Sequence, residues 1–212
     1  MKRLQKKLRN SEEVLRAGID ELNFQNTDYL FDKLLIYKNL LEKWNKIFNL
    51  TSITKSKEVI THHFLDCLAI VQYLEGKNIL DVGSGAGLPG IIIGLCSPNK
   101  NITLIDSVGK KTSFLKEACV ELNLTNIEVV KERVENFQTD KLFDSIIARA
   151  FSEIQNFINL TSHLIEKKGN WYAMKSKKIS EEQINTNFKI EKKVIVVPYL
   201  NAERYLVKIN TK

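Results

Sequence analysis

A chain of 212 residues with 43% hydrophobic composition can bury one real core, and leaves no room for a second catalytic domain. No apolar run approaches the roughly 20 residues that span a bilayer, and no charged-then-apolar leader with a small-residue cleavage site opens the chain, so a soluble, cytoplasmic protein is expected. The formal charge of +7 admits a polyanionic partner without requiring one, because lysine, isoleucine and asparagine are heavily used throughout.

The first nine residues carry Lys2, Arg3, Lys6, Lys7 and Arg9 with no acid among them. They begin a basic, partly amphipathic helical stretch before Gly18. Leu30, Leu34, Tyr37, Leu41, Trp44 and Phe48 then recur at spacings of four and three, which places them on one face of a long helix. Asn26, Thr27 and Asp28 precede it as a capping cluster. A further helix is expected over 57–74, so residues 1–75 read as a helical extension packed on a core formed by 76–212.

From Lys77 the texture changes to short β-branched runs separated by helical segments: NIL with DVG, NITLID, NIEVVK, FDSIIAR, GNWYAMK, KKVIVV and RYLVKI. Strands alternating with helices imply βαβ units and a mainly parallel α/β sheet of Rossmann-like type, whose ligands bind beyond the carboxyl ends of the strands. The run ILDVGSGAGLPG (79–90) forms the first strand-to-helix turn. Its spacing is not the G-x-G-x-x-G of dinucleotide sites, since Leu88 stands where the third glycine would be. Asp81 instead ends the strand ahead of Gly83, Gly85 and Gly87, with Ser84 inside the turn. A carboxylate there would oppose a pyrophosphate but suits a cofactor with a positive centre and an amino group, such as S-adenosylmethionine. Asp106, followed by Ser107, ends the next strand, where a ribose diol needs a bidentate acceptor.

Several segments, taken in order, cover nearly the whole chain: KWNKIFNLTS (43–52), HHFLDC (62–67), DVGSGAGLPG (81–90), LIDSVGKK (104–111), ERVENF (132–137), FDSIIARAF (143–151), WYAMKS (171–176) and ERYLVKI (203–209). Together they resemble the glucose-inhibited division protein B family, bacterial methyltransferases that make N7-methylguanine in 16S ribosomal RNA. The resemblance implies a class I methyltransferase sheet with S-adenosylmethionine as cofactor. It further implies that Gly83 and Leu88 line the cofactor, that Val134 and Glu135 meet its adenine, and that Arg149 reaches the site from the fourth strand. The chain departs from the family pattern at His62, where an arginine is frequent, and at Ser176, where a glycine is; RNA affinity is what these changes touch. The implied partner is 16S ribosomal RNA, free or within a partly assembled small subunit, and a monomer is expected.

Guanine N7 carries a free lone pair, so no general base is needed, and neither a Ser-His-Asp arrangement nor a metal-ligand spacing of His62, His63 and His163 is present. Cys67, Cys96 and Cys119 read as reduced, packed thiols, and no metal is expected. Arg149 and Lys175, at the ends of neighbouring strands, are the candidates to hold guanine O6 or a nearby phosphate. Lys110 and Lys111 begin a helix where cations oppose the macrodipole, and an external phosphate would relieve them. Arg204 and the group Lys167, Lys168, Lys175, Lys177 and Lys178 are expected around the same cleft, with His63 and Asp66 as a further pair for RNA contact. A solvated face is the alternative for each basic group. A methyltransferase acting on a protein or small molecule, and a non-catalytic RNA-binding module of the same fold, are the competing functions.

Overall fold

The computed structural model describes residues 10–149, 151, 153–176 and 187–212; Lys2, Arg3, Lys6, Lys7, Arg9, Lys177 and Lys178 lie outside the described residues. Helix α1 (Ser11–Glu21) starts at Asn10, whose side chain accepts the Glu13 N–H at 2.8 Å. A Cβ on Gly18 would stand 2.6 Å from the Leu65 methyls, so this glycine lets α1 lie close against the segment around Leu65. Helix α2 (Thr27–Phe48) carries the expected apolar face, with Leu30, Leu34, Tyr37 and Leu41 buried. It begins where the capping cluster predicts, but Asn26 adopts the left-handed region (φ 52°) and its side chain makes no cap bond.

The helix expected over 57–74 is instead four short pieces: α3 (Ser56–Val59), a π-helical turn (Ile60–Leu65), α4 (Asp66–Leu68) and a 3-10 turn (Val71–Tyr73). From Val59 to Ile70 every residue but His62 is buried, so no polar face holds this stretch to a single helical period.

Among the described residues seven strands follow: β1 (Asn78–Val82), β2 (Asn101–Ile105), β3 (Ile127–Val130), β4 (Phe143–Arg149), β5 (Ile165–Lys175), β6 (Phe188–Val194) and β7 (Tyr205–Thr211). Their order is β3-β2-β1-β4-β5-β7-β6, with the first five parallel and β7 antiparallel to both β5 and β6. After β1 the chain moves outward to β2 and β3, then returns to the other side of β1 as β4. This reversal opens a crevice at the carboxyl ends of β1 and β4. Helices α5 (Gly90–Cys96), α6 (Gly109–Leu122) and α7 (Ile154–Thr161) complete the layers. The strand expected over 192–197 lies earlier, because Ile195 and Val197 leave the sheet to bury in the core beside the N-terminal helices.

One core joins α1, α2 and the π-helical turn to α5, α6 and the sheet face bearing Ile79, Ile147 and Tyr172. A second core, on the opposite face, packs Leu80, Ile146 and Trp171 against Phe157 of α7. Since strand residues alternate between faces, Asp81 and Arg149 share the face of Ile79 and Ile147. Both therefore look toward the N-terminal helices. Among the described residues no helix is long and apolar enough to cross a membrane. Cys67 is buried, and burial pushes the Cys96 and Cys119 thiols up to about 12 and about 11, so none is poised as a nucleophile.

Candidate active site

The glycine turn closes over the end of β2: the Gly83 and Ser84 N–H groups both donate to Ile105 O, at 2.9 and 3.2 Å. Its glycines divide into two kinds. Gly83 (φ +66°) has no neighbour where a Cβ would stand, and Gly85 (φ +59°) has only Gly83 O at 3.7 Å, so these two leave an open cradle. Gly87, expected at the cofactor, would drive a Cβ to 2.4 Å from Ile91; it serves packing. Gly90 is the close-packing glycine that sequence reasoning missed, with Leu104 Cδ2 only 2.1 Å from the position of a Cβ and Asp81 Oδ2 at 2.7 Å. The closing LPG was its signal. Ser84 is buried, its hydroxyl donating to Asp81 O at 2.8 Å, and Leu88 is buried in the core beneath the turn. Ser107 is exposed beside Asp106.

Asp81 is fully buried; its Oδ2 accepts the Gly90 N–H at 2.9 Å, while Oδ1 has no hydrogen-bond partner among the described residues. Burial pushes its carboxyl up to about 7, against the pull of the Gly90 N–H and of Arg149. Asp106, at 5% exposure, accepts from Gly85 N–H (3.0 Å) and Lys111 Nζ (3.4 Å) on Oδ2 and from Val108 N–H (2.9 Å) on Oδ1. It thereby ties the glycine turn to the start of α6. These carboxylates and the open glycines fit S-adenosylmethionine: an orphaned buried acceptor suits an ammonium, and Asp106 retains lone pairs for a diol.

The basic residues are more deeply engaged than their spacing suggests. The anion that relieves Lys111 is Asp106 itself, whereas Lys110 is exposed. Arg204 is paired with Asp66 at 3.1 Å, with side-chain exposures of 15% and 7%, so its guanidinium is committed inside the fold. His63 is buried, with Nε2 at 2.8 Å from Thr51 Oγ1 and Nδ1 at 3.1 Å from Arg149 Nη1, and it presents no ring nitrogen to an RNA surface. Asp66 therefore partners Arg204 and not His63. Lys175 Nζ donates to Phe151 O at 2.9 Å. Lys167 and Lys168 are exposed near the start of β5, with Lys168 about 23 Å of strand away from Lys175, so they do not ring the cleft. Val134 is buried in a short 3-10 turn (Val134–Asn136), and Glu135 is exposed beside Arg133 at 3.6 Å.

Arg149 follows Ala148, which pairs with Val82, so it stands level with Gly83 at the crevice. Its Nη1 lies 3.3 Å from His62 O as well as near His63. Tyr37, an element of the site not foreseen, donates its buried hydroxyl to Ala86 O and so ties α2 to the glycine turn. A phenol on an otherwise apolar helix face was the only signal for it.

An acid-ended β1, an open glycine turn and an acid-ended β2, in a parallel sheet closed by an antiparallel β7, define a Rossmann-like class I methyltransferase. Solved structures share this fold: a SAM dependent methyltransferase from Aquifex aeolicus (17% identity, TM-score 0.52, 72% of this chain and 92% of that one) and the plantazolicin methyltransferase solved in complex with SAH (13% identity, TM-score 0.57, 93% and 99%). The family model for rRNA small subunit methyltransferase G (GidB) matches residues 30–206. Relatives named Ribosomal RNA small subunit methyltransferase G are 46% identical over 204 residues in Nitrosococcus oceani (95% of each chain) and 43% identical over 197 residues in Methylobacillus flagellatus (92% of this chain, 96% of that one). The chain belongs to this family, and it is an S-adenosylmethionine-dependent methyltransferase.

Proposed function

We propose that this protein transfers a methyl group from S-adenosylmethionine to N7 of a guanine in bacterial 16S ribosomal RNA, working as a cytoplasmic monomer. The observation that carries the cofactor part is the open cradle of Gly83 and Gly85, bracketed by the unpartnered Asp81 Oδ1 and by Asp106. Asp81 holds the amino group and Asp106 the ribose. When bound, the cofactor supplies an electrophilic sulfonium methyl. Val134 and Glu135 flank the adenine, with Leu88 beneath the turn.

Guanine N7 attacks with a lone pair and loses no proton, so this chain's task is position and field. Half-buried Arg149, level with Gly83, holds the guanine O6 edge while leaving N7 free, a task suited to a planar fork of donors. Lys175 shapes the same cleft from β5 through its bond to Phe151 O. Exposed Lys110 meets RNA phosphate. Labelled methyl transfer to naked 16S RNA and to small-subunit particles, followed by nucleoside analysis, tests the proposal. N7-methylguanosine is expected; a 2′-O-methyl or exocyclic-amine product would overturn it, since those acceptors need a base that this site does not offer.

A further inference from the structure

The KWNKIFNLTS and HHFLDC segments meet at Arg149. The Asn45 side chain clamps the backbone of Thr51 from both sides: Oδ1 accepts the Thr51 N–H at 2.8 Å and Nδ2 donates to Thr51 O at 3.0 Å. Thr51 Oγ1, which also accepts the Ile53 N–H at 3.2 Å, stands 2.8 Å from His63 Nε2, and His63 Nδ1 stands 3.1 Å from Arg149 Nη1. A chain of side-chain bonds thus runs from α2 through a loop and the π-helical turn to the end of β4.

The arginine decides the histidine's tautomer. Guanidinium is always protonated and can only donate, whereas the His62 carbonyl, 3.1 Å from the same Nδ1, can only accept; that carbonyl already takes Arg149 Nη1 at 3.3 Å, and a proton on Nδ1 would face the cation, so Nδ1 accepts. Nδ1 therefore carries the lone pair and Nε2–H donates to Thr51. Burial and the adjacent cation both lower the His63 pKa, to about 4, so the ring is neutral at working pH. Three residues on, Asp66 opens α4 directly after the turn and takes Arg204 at 3.1 Å. π-helical turns are rare and frequent at functional sites, and this one carries His63 to Arg149 while α4, which follows it directly, carries Asp66 to Arg204. Nη2 and Nε of Arg149 have no partner among the described residues, which leaves those donors for an acceptor in the crevice.

We propose that His63, itself held by Thr51 and Asn45, is a positioning residue that fixes the Arg149 guanidinium in the orientation used for methyl transfer. The proposal rests on Arg149 contacting the guanine. Fixing an arginine in advance removes rotamer freedom that would otherwise be lost on the way to the transition state, so the benefit appears in rate more than in affinity. The N-terminal segment, on this reading, is part of the catalytic apparatus.

Single-turnover methylation, cofactor and RNA affinities and urea stability of four variants test it. Arg149→Ala is expected to slow transfer by about 100-fold or more. His63→Leu, which removes the acceptor, should slow it by about 10- to 100-fold with both affinities within about twofold of wild type. His63→Asn places Oδ1 where Nδ1 stood and should recover most of the rate, even if its stability is no better than that of His63→Leu. Thr51→Val, which leaves the acceptor but frees the ring, should slow transfer less than His63→Leu does, and it supplies the kinetic reading if His63→Leu does not fold. The ¹⁵N shifts of the wild-type imidazole should show Nε2–H and an accepting Nδ1. A wild-type rate in His63→Leu with an inactive Arg149→Ala overturns the positioning role, as does an Nδ1–H tautomer or His63→Asn as slow as His63→Leu. An active Arg149→Ala sinks the reading of Arg149 itself.

Discussion

Two carboxylates a strand apart differ in their partners: Asp106 accepts from three donors, whereas Asp81 Oδ1 has none among the described residues. Asp81 has a folded pKa raised to about 7 by burial, so in the cofactor-free protein its contribution to stability is full below about pH 4 and is lost as pH rises through 7. An ammonium placed at Oδ1 reverses this and favours the ionised form. Binding of S-adenosylmethionine at pH 6 should then release about one proton, seen as a binding heat that depends on the buffer's ionisation enthalpy and absent in Asp81→Asn. A buffer-independent heat in wild type would place the ammonium elsewhere. Lys110 and Lys111, adjacent in sequence, should separate just as clearly. Lys110→Ala is expected to leave cofactor binding intact and to flatten the log-log salt dependence of RNA binding by about one unit of slope. Lys111→Ala should weaken the cofactor as well, because it supports the Asp106 carboxylate. Identical effects from the two lysines, measured by calorimetry and filter binding, would contradict this division.

At the scale of the element, the glycine turn combines two demands that a substitution can separate. Gly90→Ala forces a methyl against Leu104 and Asp81 in a packed layer, and overpacking of this kind costs about 1–3 kcal/mol in urea unfolding. Gly83→Ala meets no neighbour, so its stability cost is the roughly 1 kcal/mol of a left-handed backbone, but the methyl enters the cradle and should weaken cofactor binding more than Gly90→Ala does per unit of lost stability. The reverse ranking would move the cofactor away from Gly83. This turn was legible in the sequence because its residues follow one another along the chain. The π-helical turn was not, since a run buried nearly all round has no amphipathic period to read.

In the whole molecule, the N-terminal helices and the sheet form one packing unit. Tyr37 stacks on Phe64 and Phe114, and Trp44 meets Phe114 edge-on and donates to Glu117, so α2 and α6 interlock through aromatic rings. Phe114→Ala should cost about 3–5 kcal/mol. The two tryptophans report different parts: Trp44 lies on α2 and Trp171 on β5, facing the opposite core. Trp44→Phe and Trp171→Phe, each leaving one fluorophore, should therefore give coincident unfolding midpoints once each variant's own stability change is measured by circular dichroism. A midpoint for the Trp44 signal that departs from the circular-dichroism transition would instead make residues 10–75 a separately melting layer.

Local chemistry along the chain determined the strand-turn-helix order, the paired acids Asp81 and Asp106, the long apolar face of α2 and the class of cofactor, because each depends on residues close in sequence and on periods of two or 3.6. Which cations face outward was not local. Arg204 and His63 looked like candidates for RNA on charge and type alone, yet Asp66, 138 residues before Arg204, and Arg149, 86 residues after His63, absorb them. Partners so far apart in the chain leave no spacing to read, and only the folding of the N-terminal helices over the ends of β1 and β4 decides that one arginine is held at the crevice and the other inside the fold.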